Sequence, residues 1–171
     1  MTSYASDYPQ VEIDADVKKF FEEFYQTSDT AGAHEKYADA FTPDATLIMA
    51  SKKVKGRDGS LPILHQHLTS LTPFLPHRPA DVRNAEIIAL RKSMWEKVAS
   101  RHHKPQKVFP FGANADEVML YGTVAYELKD GRSASVDWAA RAHLVKEDGR
   151  VRMDFYQVYL VSVSMRKRGD V

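Results

Sequence analysis

The side chains able to do chemistry are few and of limited types. There is no cysteine in the 171 residues, so disulfides, thiolate zinc sites and cysteine nucleophiles are excluded. Tyr121 and Tyr159 offer hydroxyl donors, Thr123 and Gln157 can orient a carbonyl or a water, and His103 can take up a proton near neutral pH. His143 and Asp154 have the types of a base and its orienting acid. On facing strands the same pair is ordinary cross-strand stabilisation, of roughly 0.2–1 kcal/mol. No metal site is expected: His102 and His103 are adjacent, so on a strand they point oppositely, and His65-x-His67 lacks the further ligands zinc requires. No Gly-x-Ser-x-Gly, phosphate-loop or dinucleotide fingerprint occurs, and no cofactor is expected.

What must position these residues is the stretch from Glu117 to Val161, three alternating strands joined by Asp130-Gly131 and Asp148-Gly149. Asp-Gly suits the two-residue type I′ turn, whose central positions both need positive φ. Two-residue loops at both places set Thr123 against Trp138, Tyr121 against Ala140, Ala140 against Gln157 and Trp138 against Tyr159. One mostly apolar face then gathers Met119, Tyr121, Thr123, Ala125, Trp138, Ala140, Ala142, Leu144, Met153, Phe155, Gln157 and Tyr159. His143, Asp154, Asp137, Arg141 and Tyr156 fall on the other face. A three-residue loop would move a strand's whole set to the opposite side. Small residues at the centre of the apolar face, with hydroxyl tips around them, suit a small-molecule pocket walled by Trp138, Phe155 and Trp95. The alternative is a filled core in which neighbours satisfy those tips.

The rest of the chain supplies the cover. Residues 1–13 read as a loose arm. Asp14 or Asp16 caps a helix with Val17, Phe20, Phe21 and Phe24 on one side, stopping near Ser28-Asp29. A short helix fits Ala33 to Phe41 and ends at Pro43. Ala45 to Met49 is a strand, and Glu86 to Ser100 a third helix burying Ile87, Leu90, Met94 and Val98. Between them, residues 59–84 contain four prolines and three of the seven histidines but no lysine or glutamate. A structureless loop of that length is uncommon in a compact domain. It reads as a lid, an insertion, or translated non-coding sequence; without it, Asp58 would cap the third helix.

Phe20-Phe21, Tyr37-x-x-x-Phe41-x-Pro43-Asp44-Ala45, Gly56-Arg57-Asp58 and Tyr156-Gln157-Val158-Tyr159, in this order of elements, resemble the SnoaL-like (polyketide cyclase-like) group of the nuclear transport factor 2-like superfamily. The resemblance implies an α+β, cone-shaped fold, three helices covering a curved, mostly antiparallel sheet over residues 14–161, followed by a polar and basic tail, 162–171. It implies a cofactor-independent lyase, isomerase or cyclase acting on a hydrophobic ring compound, with Tyr121, Tyr159 and His103 as catalytic groups. Thr123, Trp138, Gln157, Trp95 and Phe155 would bind the ligand. A non-catalytic dimeric interaction or ligand-binding domain is the alternative. The net charge of +1 is evenly spread, so no nucleic-acid surface is expected. With no signal peptide and no apolar run of about 20 residues, the expectation is a cytoplasmic protein without membrane contact. A homodimer through the outer sheet face is expected as well.

Overall fold

The computed structural model describes residues 4–56 and 84–161. The tail 162–171, Arg57-Asp58 and all of the 59–84 insertion except Asn84 lie outside the described residues. Helix α1 (Ala15–Ser28) is capped by Asp14, whose carboxylate accepts the Asp16 amide at 2.9 Å. It buries Val17, Phe21, Phe24, Tyr25, Thr27 and Ser28. Helix α2 (His34–Ala38) is one turn, shorter than expected, because the strand β1 (Phe41–Met49) starts before Pro43. The short β2 (Lys52–Lys55) pairs antiparallel with β1.

Helix α3 (Ala85–Trp95) is also shorter than its apolar pattern suggests. Its buried side is Ile87, Leu90, Arg91 and Trp95, and Val98 already belongs to strand β3 (Val98–Pro110). Strands β4 (Glu117–Leu128), β5 (Ser133–Glu147) and β6 (Arg150–Leu160) follow. The six strands run in the order β2-β1-β6-β5-β4-β3, antiparallel except for β1 against β6. The helices cover one face, where an aromatic cluster of Phe21, Phe24, Tyr25, Tyr37, Phe41, Trp138 and Tyr156 is buried. The first residues are less loose than expected: the Asp7 amide donates to Gln106 O at 2.7 Å, and its carbonyl accepts the Val108 amide at 3.0 Å.

Two one-residue departures change which side chains face the helices. The first is the turn between β4 and β5. Its loop is Lys129-Asp130-Gly131, closed by the Leu128 amide on Arg132 O at 2.8 Å, with Gly131 at φ +85°. Three residues in place of two put Gly122 opposite Trp138 and Thr123 opposite Asp137. Val118, Leu120 and Val124 therefore face inward, and Met119, Tyr121, Thr123 and Ala125 face outward. The second is in β6. The Asp148-Gly149 turn has two residues at positive φ, as expected, and Leu144 faces Met153. A bulge at Asp154 then sets His143 opposite Phe155 and Ala142 opposite Tyr156. Beyond it Tyr156 and Val158 face inward, while Phe155, Gln157 and Tyr159 face outward. Only β5 keeps the expected faces along its length.

Candidate functional site

The inner face of β3 carries Arg101, His103 and Val108, paired with Tyr126, Val124 and Leu120 of β4. The α1 helix ends directly over this part of the strand, so Asp29, the residue after its last turn, meets His103. Asp29 accepts two bonds from that residue: the main-chain amide at 2.6 Å and ring Nδ1 at 2.5 Å. Its carboxylate is 5% exposed and the His103 side chain 13%. Arg101 Nε lies 3.4 Å from the same carboxylate, and Arg101 Nη2 donates to the main-chain oxygen and, at 3.0 Å, to the hydroxyl of Ser28.

These contacts fix the electrostatics of the imidazole. Burial pushes the His103 pKa below its ordinary value, and the Arg101 charge acts in the same direction; the Asp29 hydrogen bond and charge oppose them but do not win. His103 is thus neutral at pH 7. With Nδ1–H donated to Asp29, Nε2 is left with a lone pair, and no described residue hydrogen-bonds it. That is the arrangement of an oriented general base.

The His103 ring forms part of the wall of a cavity of about 30 Å³, together with Tyr25, Trp138, Tyr156, Arg101 and Met49. Tyr25 and Tyr156 share a hydrogen bond of 3.0 Å between their hydroxyls. Burial raises both phenol pKa values, so both groups stay protonated donors. His103 lies 5.3 Å from the Tyr25 ring and 6.0 Å from the Trp138 ring, centroid to centroid.

The structure brings together only part of the expected residue set. His103 and Trp138 line the cavity. Trp95 is buried nearby under the Arg101 guanidinium, which sits 4.8 Å from its ring, but it does not line the cavity. Tyr121, Thr123, Phe155, Gln157 and Tyr159 are on the opposite face of the sheet, put there by the longer turn and the bulge. Tyr121 and Tyr159 border an open groove of about 430 Å³ on that side. The inward hydroxyls are instead Tyr25 and Tyr156. Asp29, Tyr25 and Arg101 were missed; the one available signal was the end of α1 at Ser28-Asp29, which places a carboxylate at a helix terminus facing the sheet.

The outer charges do pair. His143 Nδ1 is 2.7 Å from Asp154 and its Nε2 3.5 Å from Asp116, in a groove open to solvent, and Arg141 grips Glu117 at 2.9 and 3.1 Å. Among the described residues no group of three or more His, Asp or Glu could hold a metal ion. No helix among them is long and apolar enough to cross a membrane.

No family model matches the sequence, and no curated protein matches it. Solved structures do. The chain is similar to a candidate scytalone dehydratase from Novosphingobium aromaticivorans, at 10% identity over 91% of this chain and 92% of that one, TM-score 0.62. It is similar to a type 2 hexachlorocyclohexane dehydrochlorinase at 12% identity, 92% and 89% coverage, TM-score 0.60. Nuclear transport factor 2 from Cryptosporidium parvum aligns at 15% identity, 84% and 90% coverage, TM-score 0.57. At such identities the likeness is one of fold, and the fold is the nuclear transport factor 2-like one.

Proposed function

We propose that this chain is a cofactor-independent lyase or isomerase acting on a small, hydrophobic ring compound, with His103 as its base. The observation that carries the reading is the buried Asp29–His103 pair, bonded at 2.5 Å, on the wall of an aromatic cavity. In the elimination this geometry supports, Nε2 takes a proton from a ring carbon next to an activating group. The electron pair of that C–H bond becomes the new double bond, and the leaving group departs with its own pair, met by a proton or hydrogen bond from the Tyr25–Tyr156 hydroxyls. Two structural neighbours carry the names of a dehydratase and a dehydrochlorinase, which supports this class of chemistry without extending their substrates to this chain. A space of about 30 Å³ holds one water. A ring compound is admitted only when the half-buried Met49 and Met94 and the exposed Leu160 turn aside, and the unbranched thioethers do so readily.

The test is a panel of cyclic β-hydroxy ketones and halogenated rings, followed by the ultraviolet absorbance of the conjugated product. Turnover that His103→Asn abolishes supports the reading. No turnover, together with no shift of the His103 ring signals on adding any panel member, would sink it.

A second reading, a non-catalytic homodimeric domain of the cytoplasm, is favoured by the same small cavity. It is favoured also by the outer face, where Phe109 and Tyr121 stack at 6.0 Å and Met119 and Tyr159 stand exposed. A second copy covering that face is expected under either reading. Sedimentation of the chain as a dimer, returned to monomer by Tyr121→Glu, checks it.

A further inference from the structure

The geometry points to Arg91 as a positioning residue for the Asp29–His103 pair, acting through the last turn of α1. Arg91 stands on α3 and is 1% exposed. Its guanidinium donates to the main-chain oxygens of Thr27 at 3.0 Å, Ser28 at 3.1 Å and Thr30 at 2.7 Å. It lies 4.5 Å from the centre of the Tyr37 ring. These three carbonyls bracket Asp29 in sequence, and Arg91 acts on the Asp29 carboxylate through its charge and not through a hydrogen bond.

A buried cation is costly to desolvate, and among the described residues no carboxylate pairs with this one. The carbonyls at the end of α1 offset part of that cost, since they carry the negative end of the helix dipole. Thr27 O and Thr30 O each also accept one main-chain amide at 3.2 Å, and Ser28 O accepts Arg101, so Arg91 takes their second acceptor positions. An aliphatic side chain would fill the volume without any charge to desolvate. What it lacks is a rigid fork of donors that holds three oxygens of one turn in fixed places. That turn carries the carboxylate that accepts both the main-chain amide and ring Nδ1 of His103, so a shift of the turn disturbs two hydrogen bonds at once. Arg101 grips Ser28 from the sheet side and also faces Asp29 at 3.4 Å, so its removal would change charge and position together. Arg91 also feels the Asp29 charge, so the substitution that separates the two effects is Arg91→Lys, which keeps the charge and loses the fork.

The consequence concerns the tautomer of His103. A fixed Asp29 holds the proton on Nδ1 and leaves Nε2 as the base; a displaced Asp29 frees the ring to carry its proton on Nε2, where it cannot accept another. This rests on the dyad being the working site, but the test uses no substrate. The ring-nitrogen NMR shifts of the full chain, labelled at histidine, report each tautomer at neutral pH, with His143, which pairs with Asp154 and Asp116 and not with Asp29, as the internal reference. The wild-type chain should show His103 mainly as Nδ1–H, with a minor Nε2–H fraction that sets the reference ratio. Arg91→Lys keeps the charge and loses the fork; it should move the tautomer ratio about tenfold toward Nε2–H, with His143 unmoved. A folded Arg91→Lys chain with an unchanged ratio overturns the inference. Should that variant fail to fold, Tyr37→Leu removes the ring beneath the guanidinium and should move the ratio in the same direction by less. An unchanged ratio there, or failure of both variants to fold, assigns Arg91 to the core and overturns the inference too. A chain inert toward every ring compound but with the expected tautomer shift would sink the lyase reading alone.

Discussion

Asp29 reaches His103 from a helix end 74 positions away in the chain, and it is the distance in sequence that kept the pair hidden. Its effect on stability has a definite sign. The folded pKa of His103 is lowered, chiefly by burial, so between that value and the unfolded value of about 6.5 the unfolded chain binds the proton that the folded chain refuses. Acidification through this window destabilises the fold. His143 behaves oppositely: the Asp154 hydrogen bond raises its pKa, and the stability it contributes is full below about 6.5 and is lost as pH rises through the folded value. Thermal unfolding against pH should therefore lose the part of its acid-side decline that begins just below about pH 6.5 in His103→Gln, and the part of its neutral-side decline above it in His143→Gln, while the losses from Asp14, Glu117 and Asp130 at lower pH remain. Tyr156→Phe leaves the buried Tyr25 hydroxyl without its partner, and urea unfolding should register a loss of about 1–3 kcal/mol.

Within β4, Gly122 has no room for a side chain. A Cβ there would lie 2.4 Å from Lys104 O and 2.9 Å from both Pro105 Cα and Trp138 Cζ2. Gly122→Ala should cost about 1–3 kcal/mol in denaturant and shift the Trp138 fluorescence, because two of the three obstacles are backbone and cannot turn away. Much of this architecture was legible in the sequence: the start of α1 at Asp14 or Asp16, of which Asp14 is the cap, its end at Ser28-Asp29, the Asp148-Gly149 hairpin and the inward residues of β5. The inward residues of β4 and of the end of β6 were not. Asp130-Gly131 and Asp148-Gly149 are the same dipeptide, yet one closes a three-residue loop and the other a two-residue one. Asp154 bulges without any glycine or proline to mark it. Each departure is a single residue, and in a structure of period two a single residue reverses the face. His103 and Trp138 were recognisable because each stands on a strand that neither departure reverses. Tyr156 was hidden by the bulge, and Tyr25 because its helical position reads as ordinary core.

For the molecule as a whole, the described chain stops at Gly56 and resumes at Asn84, and these two residues touch. A Cβ on Gly56 would sit 2.8 Å from Asn84 Oδ1, while the Asn84 amide group donates to Ala38 O at 3.0 Å and Phe41 O at 3.4 Å. A very short link can therefore join β2 to α3. Deleting residues 59–83, with Arg57-Asp58 kept as the connection, should give a chain that unfolds cooperatively at or above the full-length midpoint, since fewer residues between two joined elements cost less entropy to close. An insoluble or unfolded product would show that the segment is part of the fold.

The strand order has one more consequence, for the time course of folding. Strand β1 has two neighbours, the short β2 made immediately after it and β6, made last. The parallel pair β1–β6, whose β6 strand α1 also packs against, cannot form until the chain through Leu160 is available. Until then Phe41, Ala45 and Leu47, all fully buried in the end, have no sheet to enter. A topology that joins its first strand to its last folds slowly for its size and exposes apolar strand edges while it waits. The newly made chain is therefore the state most in need of a chaperone, and a break anywhere in β6 leaves β1 with only the short β2 beside it.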